Sequence, residues 1–173
     1  ELVVTVRGGT PLAELEATLA SQGQCLAFEP PHFGAASTVG GMVAAGLSGP
    51  SRASVGAVRD FVLGLEMING QGELLRYGGQ VMKNVAGYDV SRLMTGSWGT
   101  LGLITEISLK VLPMAPAEAT LRFDSCSQAQ ALDWLNHWGG QPLPLNASNW
   151  LEEDGKGTLY LRLRGARAAV QAA

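Results

Sequence analysis

Charged residues are scarce in this 173-residue chain. Asp, Glu, Lys and Arg make up 16% of it, against about 25% in typical soluble domains. The 12 Lys and Arg residues are scattered and the formal net charge is -3. No basic patch offers a footprint for a phosphate backbone, so nucleic-acid binding is disfavoured. A surface this poor in charge favours burial against a partner.

Cysteines and long apolar runs are also lacking. The two cysteines, Cys25 and Cys126, form no CxxC pair and have no zinc-ligand spacing, so we expect two unreactive thiols in the core. No stretch approaches the roughly 18 apolar residues of a membrane span, and the N-terminus lacks the features of a secretory signal. We therefore predict a cytoplasmic protein, attached to a membrane only through another subunit if at all.

Several catalytic and nucleotide-binding motifs are missing as well. The Gly-Lys pair at 155–156 lacks the glycine spacing of a Walker phosphate loop, and a GxGxxG motif fails because Leu75 stands where its third glycine belongs. There is no GxSxG elbow and no HExxH motif, and the chain has two histidines. ATP hydrolysis, classical NAD binding, and hydrolase or metalloenzyme chemistry are disfavoured.

Glycine, by contrast, is abundant. The chain has 23 glycines, and 15 of them lie between Gly34 and Gly102. Glycine allows a backbone to approach a ligand or another chain closely, because it has no side chain. This region is therefore the candidate site.

Periodicity and turn signals predict an α+β fold. We expect a strand at 2–6 and a helix capped by Thr10, with Pro11 at its first position and Gly23 as its stop. A β-hairpin over 60–78 and an alternating strand at 105–111 follow. A boundary near Met114 separates a first domain, 1–114, from a second, 115–173, for which we predict strand, helix, strand, strand and a helix start.

The segment STVGG, at 37–41, carries two explanations. Thr38 could cap a short helix whose first turn, bare at Gly40 and Gly41, points free N–H groups outward to bind an anion such as a pyrophosphate. Alternatively, the two glycines permit tight packing against a strand. The pattern favours neither.

A longer block is more specific. Residues 81–113 resemble the segment KNxxGYDxxxLxxGSxGTLGxITExxxKxxP of an FAD-binding flavoprotein family that includes vanillyl-alcohol oxidase, D-lactate dehydrogenases and glycolate oxidase. EPPHFGAASTVGGMVAAGLSGP and RDFVLGLEMINGQGELLRYGG are similar to the glycolate oxidase branch. The resemblance implies FAD as cofactor and oxidation of a 2-hydroxy acid to the 2-oxo acid by hydride transfer to the flavin. It also implies partner subunits, a catalytic flavoprotein chain and an iron–sulfur chain.

The resemblance also implies cofactor-binding residues. A proline turn would line the flavin-ring pocket, the STVGG segment and its continuation would contact the pyrophosphate and flavin, and the GTLGxI block would supply adenosine-side contacts. The residues of the proline turn are Pro30 and Pro31. Those of the STVGG segment and its continuation are Ser37, Thr38, Gly40, Gly41, Ala45, Ser48 and the following Gly56. Those of the GTLGxI block are Gly99, Leu103 and Ile104.

No catalytic residue is assigned. His32 lies beside the expected ring pocket, but without a visible carboxylate partner it is a weak candidate base. Lys83 could stabilise a reduced flavin, although a solvated loop lysine is the commoner case. Arg162, Arg164 and Arg167 could recognise a substrate carboxylate, although alternating arginines on an edge strand more often face water.

The family's pattern implies that this sequence is a fragment. We expect the second α+β subdomain of a p-cresol methylhydroxylase-type (PCMH-type) FAD-binding domain, with the first subdomain truncated, followed by the start of an α+β cap domain. FAD is then expected to bind weakly or not at all, and the fragment alone to be inactive, because backbone anion sites need several converging N–H groups. Two alternatives stay open: a non-catalytic electron-relay or scaffold subunit, and a D-lactate-type dehydrogenase.

Overall fold

The computed structural model describes residues 2–79 and 88–173. Lys83 lies outside these residues. The chain divides into two compact units, Glu1–Met114 and Ala115–Ala173, here called unit 1 and unit 2. Both combine helices with antiparallel strands, so the predicted α+β class is confirmed. No helix of the described residues is long and apolar enough to cross a membrane.

Unit 1 is built on a four-stranded antiparallel sheet. Its strands lie in the order β1-β5-β3-β4, and β2 pairs with β6 in a separate two-stranded ribbon. The bounds are β1 Val3–Arg7, β2 Gln24–Cys25, β3 Val62–Ile68, β4 Leu74–Gly78, β5 Leu103–Lys110 and β6 Leu112–Pro113.

The hairpin and the alternating strand are confirmed. β3 and β4 pair through the NGQG turn, in which Gly72 has a φ of 79°. In β5, Ile107 and Leu109 are fully buried, as the alternation requires. The opposite face of the sheet is less exposed than predicted, because Glu66 and Ser108 are also buried.

Short helices cover the apolar face of this sheet. Helix α1 begins at Leu12 with Pro11 at its N-cap, so the prediction that Thr10 caps it is wrong. The Leu12 amide instead donates to the Ser37 carbonyl oxygen at 2.8 Å. Gly23, with a φ of 66°, follows the helix end as predicted. The helices are α1 Leu12–Ser21, α2 Val39–Ala45, α3 Arg52–Val55, the 3₁₀ turn Val58–Asp60 and α4 Val90–Met94.

Unit 2 is a three-stranded antiparallel sheet with helices, in the predicted order of elements. Its strands lie in the order β7-β9-β8. The bounds are β7 Ala117–Asp124, α5 Gln128–Gly139, β8 Leu145–Glu153, β9 Lys156–Gly165 and α6 Arg167–Ala172. Ser127 and Gln130 form a reciprocal capping box at the start of α5.

Arg162 and Arg164 lie on β9, the central strand of this sheet, and not on an edge strand as expected. The Arg162 Nε group donates to Asn146 Oδ1 at 2.7 Å, and Arg164 pairs with Glu118 at 3.3 Å. The two guanidinium groups are therefore engaged within the sheet. Cys126 is buried in this unit, and Cys25 is half-buried in unit 1.

Candidate functional site

The first turn of α2 has the cap that the sequence predicts but not the free amides. Thr38 is the N-cap, and its Oγ1 accepts a hydrogen bond from the Gly41 amide at 3.1 Å. The Val39 amide donates to the Thr10 carbonyl at 3.0 Å, and the Gly40 amide donates to the Gly8 carbonyl at 2.7 Å. The predicted outward-pointing N–H groups of this turn are thus already paired, and that prediction is wrong.

The two glycines of this turn have different environments. A Cβ added at Gly40 would lie 2.8 Å from the Gly8 carbonyl oxygen and 3.1 Å from the Gly8 Cα. Tight packing against the turn after β1 therefore explains Gly40. Gly41 is exposed, and its added Cβ would meet only the Thr38 hydroxyl, at 3.1 Å.

Two cavities lie on either side of this turn. Cavity A and cavity B each have a volume of about 250 Å³. Thr38 and Gly41 line both, so the two cavities adjoin at the start of α2; together they are here called the cleft. Cavity A is lined by Leu12, Pro31, Phe33, Ala36, Ser37, Thr38, Gly41, Met42, Ala45 and Leu47, and cavity B by Gly8, Gly9, Thr38, Gly40, Gly41, Ala44, Gly99, Gly102, Leu103 and Ile104.

Most residues that the family resemblance singles out lie in this cleft. Cavity A has Pro31, Ser37, Thr38, Gly41 and Ala45; cavity B has Thr38, Gly40, Gly41, Gly99, Leu103 and Ile104. The structure thus brings the STVGG segment and the GTLGxI block together, although they are distant in the sequence.

Three of the predicted residues do not line the cleft. Pro30 is buried. The Ser48 hydroxyl accepts a hydrogen bond from the Val58 amide at 3.1 Å, a contact that fixes the loop before β3. Gly56 has a φ of 100° at the end of α3, a conformation that favours glycine. These positions support the scaffold around the cleft.

Sequence reasoning missed several lining residues. The pair Gly8 and Gly9, directly after β1, lines cavity B, and Phe33 and Leu47 line cavity A. The signal for the glycine pair was present, because RGGT separates a strand from a helix. Phe33 and Leu47 gave no such signal in the sequence, because an apolar residue in a loop, such as Phe33 with its 77% exposed side chain, looks like any other loop residue.

The cleft suits an extended anionic ligand held by backbone. A Cβ at Gly9 or Gly99 would enter open space, so a ligand can approach the chain closely there. The amide hydrogens of Gly9, Thr38 and Gly99 have no acceptor within residues 2–79 and 88–173. None of the described lining residues is ionisable. Free amides and apolar walls therefore fit a flavin dinucleotide, whose pyrophosphate accepts hydrogen bonds and whose rings are flat.

Charged groups stand outside this cleft. His32 does have a carboxylate partner, contrary to the sequence-based interpretation: its Nε2 lies 2.8 Å from Oε2 of Glu16 on α1. Across the sheet, the nearly buried Glu66 carboxylate accepts from Arg76 Nε at 2.6 Å and from Thr105 Oγ1 at 3.0 Å. These hydrogen bonds, the one from Arg76 above all, hold the pKa of Glu66 below its usual range.

Comparison with known proteins finds a matching family and a similar protein. Residues 1–78 match the family described as FAD binding domain. Over all 173 residues the chain is 52% identical to the glycolate oxidase subunit GlcE of Escherichia coli strain K12, of which it covers 48%. The chain is thus similar to FAD-binding flavoproteins, in line with the resemblance that its motifs carry. FAD is therefore its cofactor, as the sequence motifs predict.

Other known proteins are similar over shorter stretches. The chain is 37% identical over 122 residues to the glycolate oxidase subunit GlcD of Bacillus subtilis strain 168, covering 69% of this chain and 25% of GlcD. It is 38% identical over 146 residues to a D-lactate dehydrogenase of Anaerostipes hadrus, covering 82% and 30%. The chain thus spans about half the length of GlcE and less of the others.

Solved structures agree on the fold. Alkyldihydroxyacetonephosphate synthase matches with TM-scores of 0.80 and 0.79 in two crystal forms, at 22% and 21% identity. Each match covers 99% of this chain and 36% of the synthase. At this level of identity the likeness supports the predicted FAD-binding fold and no shared activity.

Proposed function

We propose that the protein containing this sequence is the FAD-binding subunit of a complex that oxidises a 2-hydroxy acid, glycolate, to the 2-oxo acid. The observation that carries the proposal is the 52% identity to the E. coli glycolate oxidase subunit over all 173 residues. In the same proposal, unit 1 is an incomplete PCMH-type FAD-binding domain and unit 2 is the beginning of the cap domain.

The residues of this chain would serve to bind and orient the cofactor. Backbone amides at Gly9, Thr38 and Gly99 would donate to the pyrophosphate, and the lack of a side chain at Gly9 and Gly99 would let the ligand come close. Phe33, Met42 and other apolar residues of cavity A would exclude water from the part of the ligand that they contact. When bound, FAD supplies an acceptor for the hydride that leaves the hydroxyl-bearing carbon.

Partner subunits follow from the same relatives. Two relatives, one from E. coli and one from B. subtilis, are named as different glycolate oxidase subunits, which supports a complex with a catalytic flavoprotein chain and, in our proposal, an iron–sulfur chain. The D-lactate dehydrogenase at 38% identity favours a second candidate, a related enzyme acting on D-lactate. Because the chain is similar to the glycolate oxidase subunit and to the D-lactate dehydrogenase, measured turnover of glycolate and of D-lactate decides the substrate.

A single substitution tests whether the cleft holds FAD in the assembled complex. Gly9→Val places a side chain in cavity B where the backbone has room for it, so we expect normal folding and loss of FAD. Gly70→Val, in the open β3–β4 turn, is the matched control. FAD content, glycolate turnover and D-lactate turnover would be measured with an artificial electron acceptor.

The outcomes separate the candidates. Loss of both FAD from this subunit and glycolate turnover in Gly9→Val supports the proposal. Turnover of D-lactate but not glycolate by the unmodified complex supports the second candidate instead. Loss of FAD with unchanged turnover would identify the chain as a scaffold, and retention of FAD at full occupancy would contradict the assignment of the cleft.

A further inference from the structure

The outer wall of cavity A is formed by an exposed stretch of chain, residues 31–37, here called the wall segment. Pro31, Phe33, Ala36 and Ser37 of this segment line the cavity. Residues 33–36 are exposed, with Phe33 at 77%. A wall with this little packing needs other contacts to hold it in place, because exposed segments have the lowest local stability.

One end of the wall segment is fixed by hydrogen bonds to Ser37. The Phe33 amide donates to the Ser37 hydroxyl at 3.1 Å, and the Ser37 carbonyl oxygen accepts from the Leu12 amide at 2.8 Å. The Ser37 amide in turn donates to the Gly34 carbonyl at 3.2 Å. These bonds define the end nearest α2 and leave the other end, at Pro31, to be fixed differently.

His32 supplies a contact at that other end. Its Nε2 lies 2.8 Å from Oε2 of Glu16, and the two side chains are 40% and 36% exposed. A carboxylate accepts hydrogen bonds and does not donate, so the imidazole is the donor. Glu16 follows Leu12 by one helical turn, on the same side of α1, and Leu12 lines cavity A. The contact therefore joins two elements that both line the cavity.

We propose that His32 and Glu16 form a tie that positions the wall segment against α1 and thereby holds cavity A in the shape that binds FAD. His32 is a positioning residue in this proposal: its neighbours Pro31 and Phe33 line the cavity, and it does not. The inference rests on the proposed function only for its ligand, since the geometry of the tie belongs to the chain itself.

Amide hydrogen exchange on the protein without FAD tests the tie directly. Exposed polar contacts between side chains are weak, so His32→Ala should speed exchange of the Phe33 and Ser37 amides by about 1.4- to five-fold. His32→Lys, which keeps a hydrogen-bond donor for Glu16, should restore slow exchange. Arg122→Ala removes a comparably close and exposed pair, with Asp124 at 2.8 Å in unit 2, and should leave both amides unchanged.

FAD titration, followed by flavin fluorescence, supplies the second readout. In the full-length subunit, His32→Ala and Glu16→Ala should each weaken FAD binding by the same factor of up to about five, and the double variant by no more than either alone, because each removes the same contact. Unchanged exchange in His32→Ala, additive effects in the double variant, or failure of His32→Lys to rescue would each overturn the tie. If FAD does not bind the unmodified full-length subunit, the proposed function fails, and the exchange result alone decides the tie.

Discussion

At the scale of single residues, the polar face of the unit 1 sheet places two like charges side by side. Glu66 on β3 and Glu106 on β5 are direct cross-strand neighbours, an arrangement that destabilises a sheet. Each carboxylate has an arginine on its outer side: Arg76 lies at 2.6 Å from Glu66, and Arg7 at 3.2 Å from Glu106. Across the four strands the row therefore runs Arg7, Glu106, Glu66 and Arg76, in which one arginine neutralises each acid.

This row predicts a pH-dependent contribution from Glu66. Its pKa is lowered from the ordinary 4.5, first by the hydrogen bond from Arg76 and then by that from Thr105. A lowered pKa in the folded state stabilises the fold above the unfolded value, and this stabilisation is lost as the pH falls through the folded value. Glu66→Gln should therefore lower the melting temperature at pH 7, and the difference from the unmodified protein should shrink below about pH 4.

Thermal unfolding followed by circular dichroism at pH 7 and at pH 3.5 checks this prediction. Glu73→Gln, in the exposed β3–β4 turn, controls for the loss of one negative charge. A difference between Glu66→Gln and the unmodified protein that stays constant between the two pH values would show that Glu66 acts through packing and not through its charge.

At the scale of elements, the first turn of α2 contains two glycines with different roles: Gly40 packs against the β1–α1 turn, and Gly41 faces the cleft. Gly40→Ala would place a Cβ 2.8 Å from a backbone oxygen of the β1–α1 turn, so it should destabilise the fold by about 1–3 kcal/mol. Gly41→Ala meets only the Thr38 hydroxyl and gains up to about 1 kcal/mol of helix propensity.

The two variants should therefore differ in their stability to denaturant. Denaturant unfolding is expected to show a lower midpoint for Gly40→Ala and an unchanged or higher midpoint for Gly41→Ala. FAD titration should show weaker binding in Gly41→Ala, by at least about five-fold, equivalent to about 1 kcal/mol, because the added methyl group enters the wall shared by both cavities. Equal midpoints for the two variants would contradict the packing assigned to Gly40.

The same helix shows how far sequence reasoning extends. The cap at Thr38, the hairpin through NGQG and the alternation of β5 were predicted because their signals are local. The pairing of the Val39 and Gly40 amides was not, because their acceptors are carbonyls of Thr10 and Gly8, which only the tertiary fold brings near. The Glu16 partner of His32 was missed for the same reason. The STVGG segment indicates where the cleft lies. Which backbone amides stay free to bind a ligand there is decided by long-range contacts, which the sequence does not show.

At the scale of the whole molecule, residues 2–79 and 88–173 form two separate apolar cores, one in each unit. The unit 1 core contains residues such as Phe28, Val43 and Ile107, all fully buried. The unit 2 core is much smaller, with Leu159 fully buried and packed among the aromatic side chains of Phe123, Trp134, Trp138 and Trp150. Because small domains bury a smaller fraction of their surface, unit 2 should be the less stable of the two.

Leu159→Ala tests whether the two cores unfold separately. Removing this fully buried side chain should cost about 2–5 kcal/mol, and the cost should be confined to unit 2. Native-state hydrogen exchange should show faster exchange for amides of β9, such as Leu161 and Leu163, while Ile107 and Leu109 of β5 keep their protection. Ile107→Ala is the reciprocal variant, with exchange rising in β5 and not in β9. If either substitution raises exchange equally in both sheets, the units unfold as one cooperative body, and FAD bound to unit 1 would then stabilise unit 2 as well.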